Sequence, residues 1–412
     1  MNRKILLAIA DGLGDWPCKE LGGKTPLEYA NKPNLDALAK EGCTGIMDVY
    51  SAGVPVGTDL GHLILFGYGI KDYPGRGPIE AAGVGIDLEE GDVAFRCNFA
   101  TIDQDGKIID RRAGRIREGA QELAQALDGM VVDDVRVIFK AATEHRAVMV
   151  LRGDSLSDKV GDTDPKDINM KIKAACPKDD SLKAERTCHV LNKILLRAQD
   201  ILAEHEINKE RRAKGLFEAN CILTRGAGQL VKLNKRKELA SMKTMCVASE
   251  KTVLGVARLL GYQTLTDDEF TGNIDTNIEK KAKFALQALD DNDFVILHYK
   301  ATDLMGHDGN PEGKVDAIEV YDKLLGLVTK GLEEKSYDTV LALAADHSTP
   351  CYRKEHSGDP VPVLMKGAVV RKDAVKSYDE ISCAEGGLGR IQGSQFANLL
   401  FDFIEKTKKQ GN

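Results

Sequence analysis

Three short apolar runs, far apart in the chain, each end in an aspartate. KILLAIAD reaches Asp11, NDFVILHYKATD runs apolar from Phe294 to Leu297 and reaches Asp303, and YDTVLALAAD runs apolar from Val340 to Ala345 and reaches Asp346. Apolar runs this short, bounded by turn residues, read as strands buried on both faces of a parallel sheet. Helix-like stretches lie between them: residues 33–42, the amphipathic stretch 273–291, and 314–331 with Val315, Ile318, Leu325 and Val328 at helical spacing. Alternation of this kind predicts an α/β fold with a doubly wound, mostly parallel sheet. Sites in such sheets collect at the carboxyl ends of the strands, so three separate stretches bring a carboxylate to one edge.

The middle of the chain has a different texture. From about Gly75 to Gly215 it is richer in charge and arginine, its apolar runs are shorter, and residues 178–215 read as a polar loop and a long amphipathic helix. This predicts a core domain of residues 1–75 and 216–412 with an inserted second, α+β domain of residues 76–215. The 412 residues leave room for about two domains. A net charge of −7 argues against a phosphate-rich polymer as partner, so no nucleic acid is expected. MNRKILLAIA resembles a signal peptide only superficially, because it leads straight into Asp-Gly without a small-residue cleavage site. No stretch approaches the roughly 18–20 apolar residues that span a bilayer. The nine cysteines are scattered, with no CxxC pair, which argues against a disulfide framework or a Cys-rich zinc site. The expectation is a cytoplasmic protein without a membrane partner.

Five metal-type side chains lie between Asp303 and His356. Asp303 and His307 are four residues apart, a spacing that puts both on one side of a helical turn. Asp346 and His347 are adjacent and can share an ion only in a loop, and His356 follows in EHSGDP. Three of the eight histidines fall in this window, so a shared metal role outweighs the alternative that each aspartate caps a helix and each histidine is a satisfied core group. Mixed carboxylate and imidazole donors suit Zn²⁺ or Mn²⁺ better than Ca²⁺ or Mg²⁺ alone. Upstream, Gly57-Thr58-Asp59 precedes the apolar run Leu63–Phe66. A hydroxyl there, at the positive end of a helix and activated by a metal, suits attack on phosphorus. A plain helix cap at Thr58 is the competing reading.

The segments DGLGD at Asp11, TPLEYANKPNLDALAKEG, VGTDLGHLILFGY, GRGPIEAAG, DVAFRCNFAT, ATDLMGHDG and ADHSTP occur in order over essentially the whole chain. Together they resemble the archaeal-type cofactor-independent phosphoglycerate mutases of the alkaline phosphatase superfamily. The resemblance implies an alkaline-phosphatase-like core carrying two divalent ions (Mn, Zn, Co or Mg) and an inserted lid. It implies that Asp303, His307 and His356 hold one ion, and that Asp11, Asp346, His347 and the Thr58 hydroxyl hold the other. This chain has threonine where mutases of that family carry serine. The implied substrate is a small phosphorylated carboxylic acid, and arginine forks suit both of its anionic groups. The candidates are Arg76, Arg111, Arg112, Arg115, Arg146, Arg152 and Arg225, although surface ion pairs are the commoner fate of an arginine. DTDP resembles a family segment and offers Asp162 as acid/base and Asp164 as a substrate contact, or simply a turn. Lys251, in SEKTVLG, resembles a lysine of the longer bacterial-type enzymes.

The activity this implies is interconversion of 3-phosphoglycerate and 2-phosphoglycerate through a phosphothreonine. The alternatives are a homoserine-kinase-like phosphotransferase or a phosphomonoester phosphatase on the same site. A metal-binding scaffold without activity ranks behind both.

Overall fold

The run KILLAIA forms strand β1 (Lys4–Ala10), and all seven residues are buried. The computed structural model describes residues 3–230, 239 and 241–411. Further along the chain lie β2 (Cys43–Asp48), β3 (Val93–Ile102), β4 (Ile108–Asp110), β5 (Val131–Val132), β6 (Val135–Ala141), β7 (Arg146–Arg152) and β8 (Cys221–Gln229). They are followed by β9 (Thr244–Val247), β10 (Gln263–Leu265), β11 (Phe294–Tyr299), β12 (Thr339–Ala344), β13 (Val361–Lys366) and β14 (Gly389–Gln392). The chain divides into two compact units, Met1–Tyr73 with Asn234–Asn412, and Pro74–Leu233.

The first unit is built on a sheet of order β10-β9-β11-β1-β12-β13-β2-β14. Its fold class is the α/β one that strand–helix alternation predicts. β1 lies between β11 and β12 and is parallel to both, with Ala10 beside Tyr299 and Ile9 beside Ala344. The three aspartate-tipped strands are therefore neighbours, and their carboxyl ends meet at one edge. β13 alone runs antiparallel to its neighbours β12 and β2. This reversal has a consequence for the site. A parallel successor to β12 needs a crossover to the far edge of the sheet, whereas an antiparallel one lets the whole connection, residues 345–360, stay at the edge where β12 ends.

The helices follow their local signals. Helix Pro33–Glu41 starts with proline in its first turn, where the missing N–H costs nothing, and buries Leu35, Leu38 and Ala39. Helix Pro311–Glu333 begins three residues before the predicted stretch, because the Asn310 side chain caps Gly313 N at 2.9 Å. Within residues 273–291 only Ile278–Asp291 is helical, since Asn277 provides the cap by accepting from Lys280 N. No helix among the described residues is long and apolar enough to cross a membrane.

In the second unit β3 is the central strand, antiparallel to β7 and β8. Its residues alternate between two faces. Val93, Phe95, Cys97 and Phe99 join a core with Leu123 and Leu127 of helix Ala120–Leu127 and with Leu191 and Ile194 of helix Leu182–Glu204. Ala94 faces the other way, with Ala81, Val148 and Val150. The long helix read at residues 178–215 is two helices, Leu182–Glu204 and Glu206–Ala213, parted by His205 with an extended ψ of 137°. The boundary placed at residue 215 also moves. β8 lies beyond it and pairs with β3 over residues 221–229, so this stretch belongs to the second sheet.

Leu343 is fully buried on β12, between β1 and β13. Leu343→Ala is expected to destabilise the first unit by about 2–5 kcal/mol, through lost burial and a residual cavity. Denaturant unfolding followed by circular dichroism measures the shift.

Candidate metal centre

The edge where β1, β11 and β12 end carries a dense cluster of charge. Asp11 follows β1 directly, Asp303 and His307 share helix Ala301–Asp308 just after β11, and Asp346 and His347 lie in the loop after β12. Asp11, Asp303, Asp346 and His347 are all buried. Close packing of these loops depends on glycine. Gly12 has φ +61°, and a Cβ there would lie 2.7 Å from Asp303 Oδ1. A Cβ on Gly61 would lie 2.5 Å from the Asp346 carbonyl, so helix Thr58–Leu65 can approach that loop only without one.

Two donor sets emerge. In the first, His307 Nε2 lies 3.4 Å and His356 Nε2 3.6 Å from Asp303 Oδ1, with the two nitrogens 3.2 Å apart. Donors on a tetrahedral ion with bonds near 2.05 Å are separated by roughly 3.3–3.4 Å. Tautomers strengthen the fit. The other ring nitrogens, both Nδ1, donate to the carbonyls of Lys354 at 3.0 Å and Val56 at 2.8 Å. The two Nε2 lone pairs then point at each other and at a carboxylate, an arrangement that a cation stabilises.

In the second set, His347 Nε2 lies 3.1 Å from Asp346 Oδ2, 3.4 Å from Asp11 Oδ1 and 3.3 Å from Thr58 Oγ1. Neither Asp11 Oδ1 nor Asp346 Oδ2 has an aligned hydrogen-bond donor among the described residues, although both are buried. His347 Nδ1 donates to Thr349 Oγ1 at 3.1 Å, and that hydroxyl donates to Asp303 Oδ1 at 2.6 Å, which leaves His347 Nε2 facing the set. The His347 and His356 rings stack with centroids 3.5 Å apart, so the two sets are adjacent. Burial disfavours a charged His347, but the Asp346 carboxylate, then Asp11 and Asp303, push its pKa up to about 9. A field that favours a proton at this imidazole equally favours a metal ion. All seven residues named as ligands from the sequence are thus brought together, with donors that suit divalent first-row ions. Thr58 is no cap. Gly57 takes the N-cap position, and no side chain caps this helix.

Sequence reading missed three residues here. Lys300 Nζ bridges Asp11 Oδ2 at 3.1 Å and Asp303 Oδ2 at 2.6 Å, and despite burial these carboxylates raise its pKa far above the ordinary value. His298 Nε2 donates to Asp11 Oδ2 at 3.0 Å, and burial lowers the pKa of this histidine. His62 Nδ1 donates to the Thr58 carbonyl at 2.8 Å. Their signals were present: His298 and Lys300 are polar positions at the end of an apolar strand, and His62 is one helical turn after Thr58. Lys251 opens helix Lys251–Leu259, after β9, with its side chain exposed.

The second unit gathers a cationic face. Arg96 on β3 is directly opposite Arg225 on β8, and Asn98 is opposite Arg146 on β7. Directly opposed residues, and residues two apart on a strand, share a face. Arg96, Asn98, Arg146 and Arg225 therefore point the same way, and like charges directly opposite each other are unfavourable without an anion. Burial, then Arg76, Arg146 and Arg225, push the Arg96 pKa down to about 10. Glu80 is a counter-ion, 3.1 Å from Arg76 and 3.8 Å from Arg96. Arg112 and Arg115 are exposed around a left-handed turn, where Ala113, Gly114 and Arg115 all have positive φ. Arg96 escaped the sequence reading, although with Asn98 it interrupts an apolar strand at period two.

Two candidates have other commitments. Arg152 is neutralised by Asp92 at 2.7 Å and Glu89 at 2.6 Å. Asp164 is a buried counter-ion for Arg111 at 2.7 Å and Arg225 at 3.3 Å, so it holds arginines rather than facing a ligand. Asp162 accepts from Gly226 N at 3.0 Å, next to Arg225.

Two outcomes follow from this geometry. Metal-stripped protein is expected to melt higher when Mn²⁺ is restored, with about 2.7 kcal/mol of stabilisation at a hundred times Kd. Asp303→Ala and Asp346→Ala should each diminish that shift in a thermal scan. His145 is pushed down to about 4 by burial, then by Arg146 and Arg112, so its neutral form favours the folded state. This contribution is complete above the unfolded pKa, near 6.5, and is lost as pH falls from there through 4. Urea unfolding across that range should show a shallower pH slope in His145→Gln than in the parent.

A family model described as 2,3-bisphosphoglycerate-independent phosphoglycerate mutase matches residues 39–208. A protein of that name from Methanopyrus kandleri is 44% identical, over 100% of this chain and 99% of its own length. The solved structure of a Pyrococcus horikoshii protein is 37% identical, covers all of both chains and superposes with a TM-score of 0.86. A cofactor-independent phosphoglycerate mutase from Thermoplasma acidophilum is 35% identical with a TM-score of 0.73, covering 98% of this chain and 100% of its own. On identity that high over its whole length, the chain belongs to the 2,3-bisphosphoglycerate-independent phosphoglycerate mutase family.

Proposed function

We propose that the chain interconverts 3-phosphoglycerate and 2-phosphoglycerate, carrying the phosphoryl group on Thr58 between two half-reactions. The observation that supports this most is the position of Thr58 Oγ1, 3.3 Å from His347 Nε2, the nitrogen that also lies 3.1 Å from Asp346 Oδ2 and 3.4 Å from Asp11 Oδ1. The proposed ligands are Asp303, His307 and His356 for one ion, and Asp11, Asp346, His347 and Thr58 for a second. Bound divalent ions would supply Lewis acidity toward phosphoryl oxygens and lower the pKa of the Thr58 hydroxyl.

Thr58 Oγ gives up its proton, which goes to the departing substrate oxygen, and attacks phosphorus from the first turn of helix Thr58–Leu65, whose positive end favours the anionic phosphoryl group. The bond from phosphorus to the substrate oxygen breaks, and that oxygen takes up the proton. After the glycerate reorients, its other hydroxyl takes the phosphoryl group from Thr58, and its proton returns to Thr58 Oγ as the bond from that oxygen to phosphorus breaks. Lys300 spans the carboxylates of Asp11 and Asp303. The second unit serves in this proposal as a lid that binds substrate and excludes water from a hydrolysable phosphothreonine. Its excess of Arg76, Arg96, Arg112, Arg146 and Arg225 suits the carboxylate, and Arg115 lies on the adjoining turn. Asp162 is proposed as acid/base for the hydroxyls, and Lys251 as a further positive charge at the strand edge.

Threonine in place of serine favours a second reading, transfer to another acceptor. One assay separates the possibilities. The metal-loaded protein, given 3-phosphoglycerate without bisphosphoglycerate, is expected to form 2-phosphoglycerate. Thr58→Ala should lower the rate by roughly 10³-fold or more, while Thr58→Ser retains it. Release of inorganic phosphate alone would indicate a phosphatase, and ATP-dependent phosphorylation of homoserine without mutase turnover would indicate a kinase.

A further inference from the structure

Behind the metal centre, a lysine ammonium is sealed from solvent. Lys314, in the first turn of helix Pro311–Glu333, has no exposed surface. Its Nζ donates to three acceptors: the Gly14 carbonyl at 3.1 Å, the Thr349 carbonyl at 3.0 Å and Asp15 Oδ2 at 2.9 Å. An ammonium has three donors, and all are used. Asp15 is equally enclosed, with its side chain fully buried. Its Oδ1 accepts from Trp16 N at 2.7 Å, and Cys351 N lies 3.1 and 3.2 Å from its two oxygens.

These partners come from three segments. Gly14 and Asp15 close the loop that starts at Asp11. Thr349 and Cys351 close the loop that holds Asp346 and His347. Lys314 follows Asp303 and His307, joined to their helix through the left-handed Gly309. Among the described residues, the pair makes no hydrogen bond or ion pair with the seven ligand side chains themselves. A buried ion pair is weak evidence for stability, since apolar residues of similar volume often serve as well. Apolar residues cannot, however, fix two main-chain carbonyls and a carboxylate at one point.

We infer that Lys314 is a positioning residue for the metal centre: with Asp15 it sets the spacing of the three strand-end segments that carry Asp11, Asp303, His307, Asp346 and His347. This rests on the proposal that those residues bind divalent ions, and on none of the proposed phosphoryl chemistry.

The test is a Co²⁺ titration of metal-free protein, followed by visible absorption, which reports coordination geometry directly and needs no turnover. In Lys314→Met the stem is kept and the donors are lost. The expected result is a cooperatively folded protein in which at least one Co²⁺ binds roughly 10- to 100-fold more weakly, with an altered absorption spectrum. A purely structural role would lower the melting temperature of the metal-free protein and leave Co²⁺ affinity and spectrum unchanged, and that result overturns the inference. If the lone Asp15 carboxylate prevents Lys314→Met from folding, Asp15→Asn combined with Lys314→Met removes both charges and is judged by the same two readouts. Parent protein that binds no Co²⁺ would remove the metal reading itself. Parent binding that persists unchanged in the variant removes this inference alone.

Discussion

Three aspartates end neighbouring strands, and their mutual repulsion is the constraint around which the first unit is arranged. Asp11, Asp303 and Asp346 are all buried, where unpaired carboxylates are costly. Lys300 offsets part of that cost by lying between Asp11 and Asp303. His347 and His62 add to this, since despite burial the nearby carboxylates raise the pKa of both. The oxygens left over face inward together, which is why the cluster is disposed to hold further positive charge. Burial works against ionisation of Asp303, yet Lys300 and the nearby imidazoles keep its pKa below the usual carboxylate range. Negative charge is therefore retained where cations would dock.

The second unit presents the inverse problem. Its β-sheet brings Arg96 and Arg225 directly opposite each other, with Arg146 on the same face. Glu80 and Asp164 neutralise only part of this charge. A helix-facing hydrophobic core lies on the other side of β3. One unit concentrates carboxylates and imidazoles, and the other concentrates guanidinium groups.

Legibility differed between these two halves for a physical reason. The strand ends were readable because a buried parallel strand must be apolar along its length, so the first carboxylate after it stands out. The pair Asp303 and His307 was readable from helical spacing, and Asp346 and His347 from adjacency. Arginines carry no such grammar. Arg152 and Arg225 look alike in sequence, yet one is neutralised by Asp92 and Glu89 while the other lies opposite Arg96. Partner identity separates them, and partners are set by cross-strand register. The extent of the inserted unit was misjudged at residue 215 for the same reason, since β8 belongs wherever its pairing strand lies.

By itself the sequence determined the strand–helix alternation and the aspartates that follow three apolar runs, both from local composition and spacing. The full set of seven candidate ligands came from the family resemblance. Tertiary structure alone decided that β11, β1 and β12 lie side by side, so that the three ends form one site. It also decided that β13 runs backward, which keeps His356 at the same edge as Asp346. Finally it brought Lys300, His298, His62 and Lys314 to bear on the cluster. Their polar positions are visible in the sequence, but most of their partners are not, because these lie as much as 300 positions away in the chain.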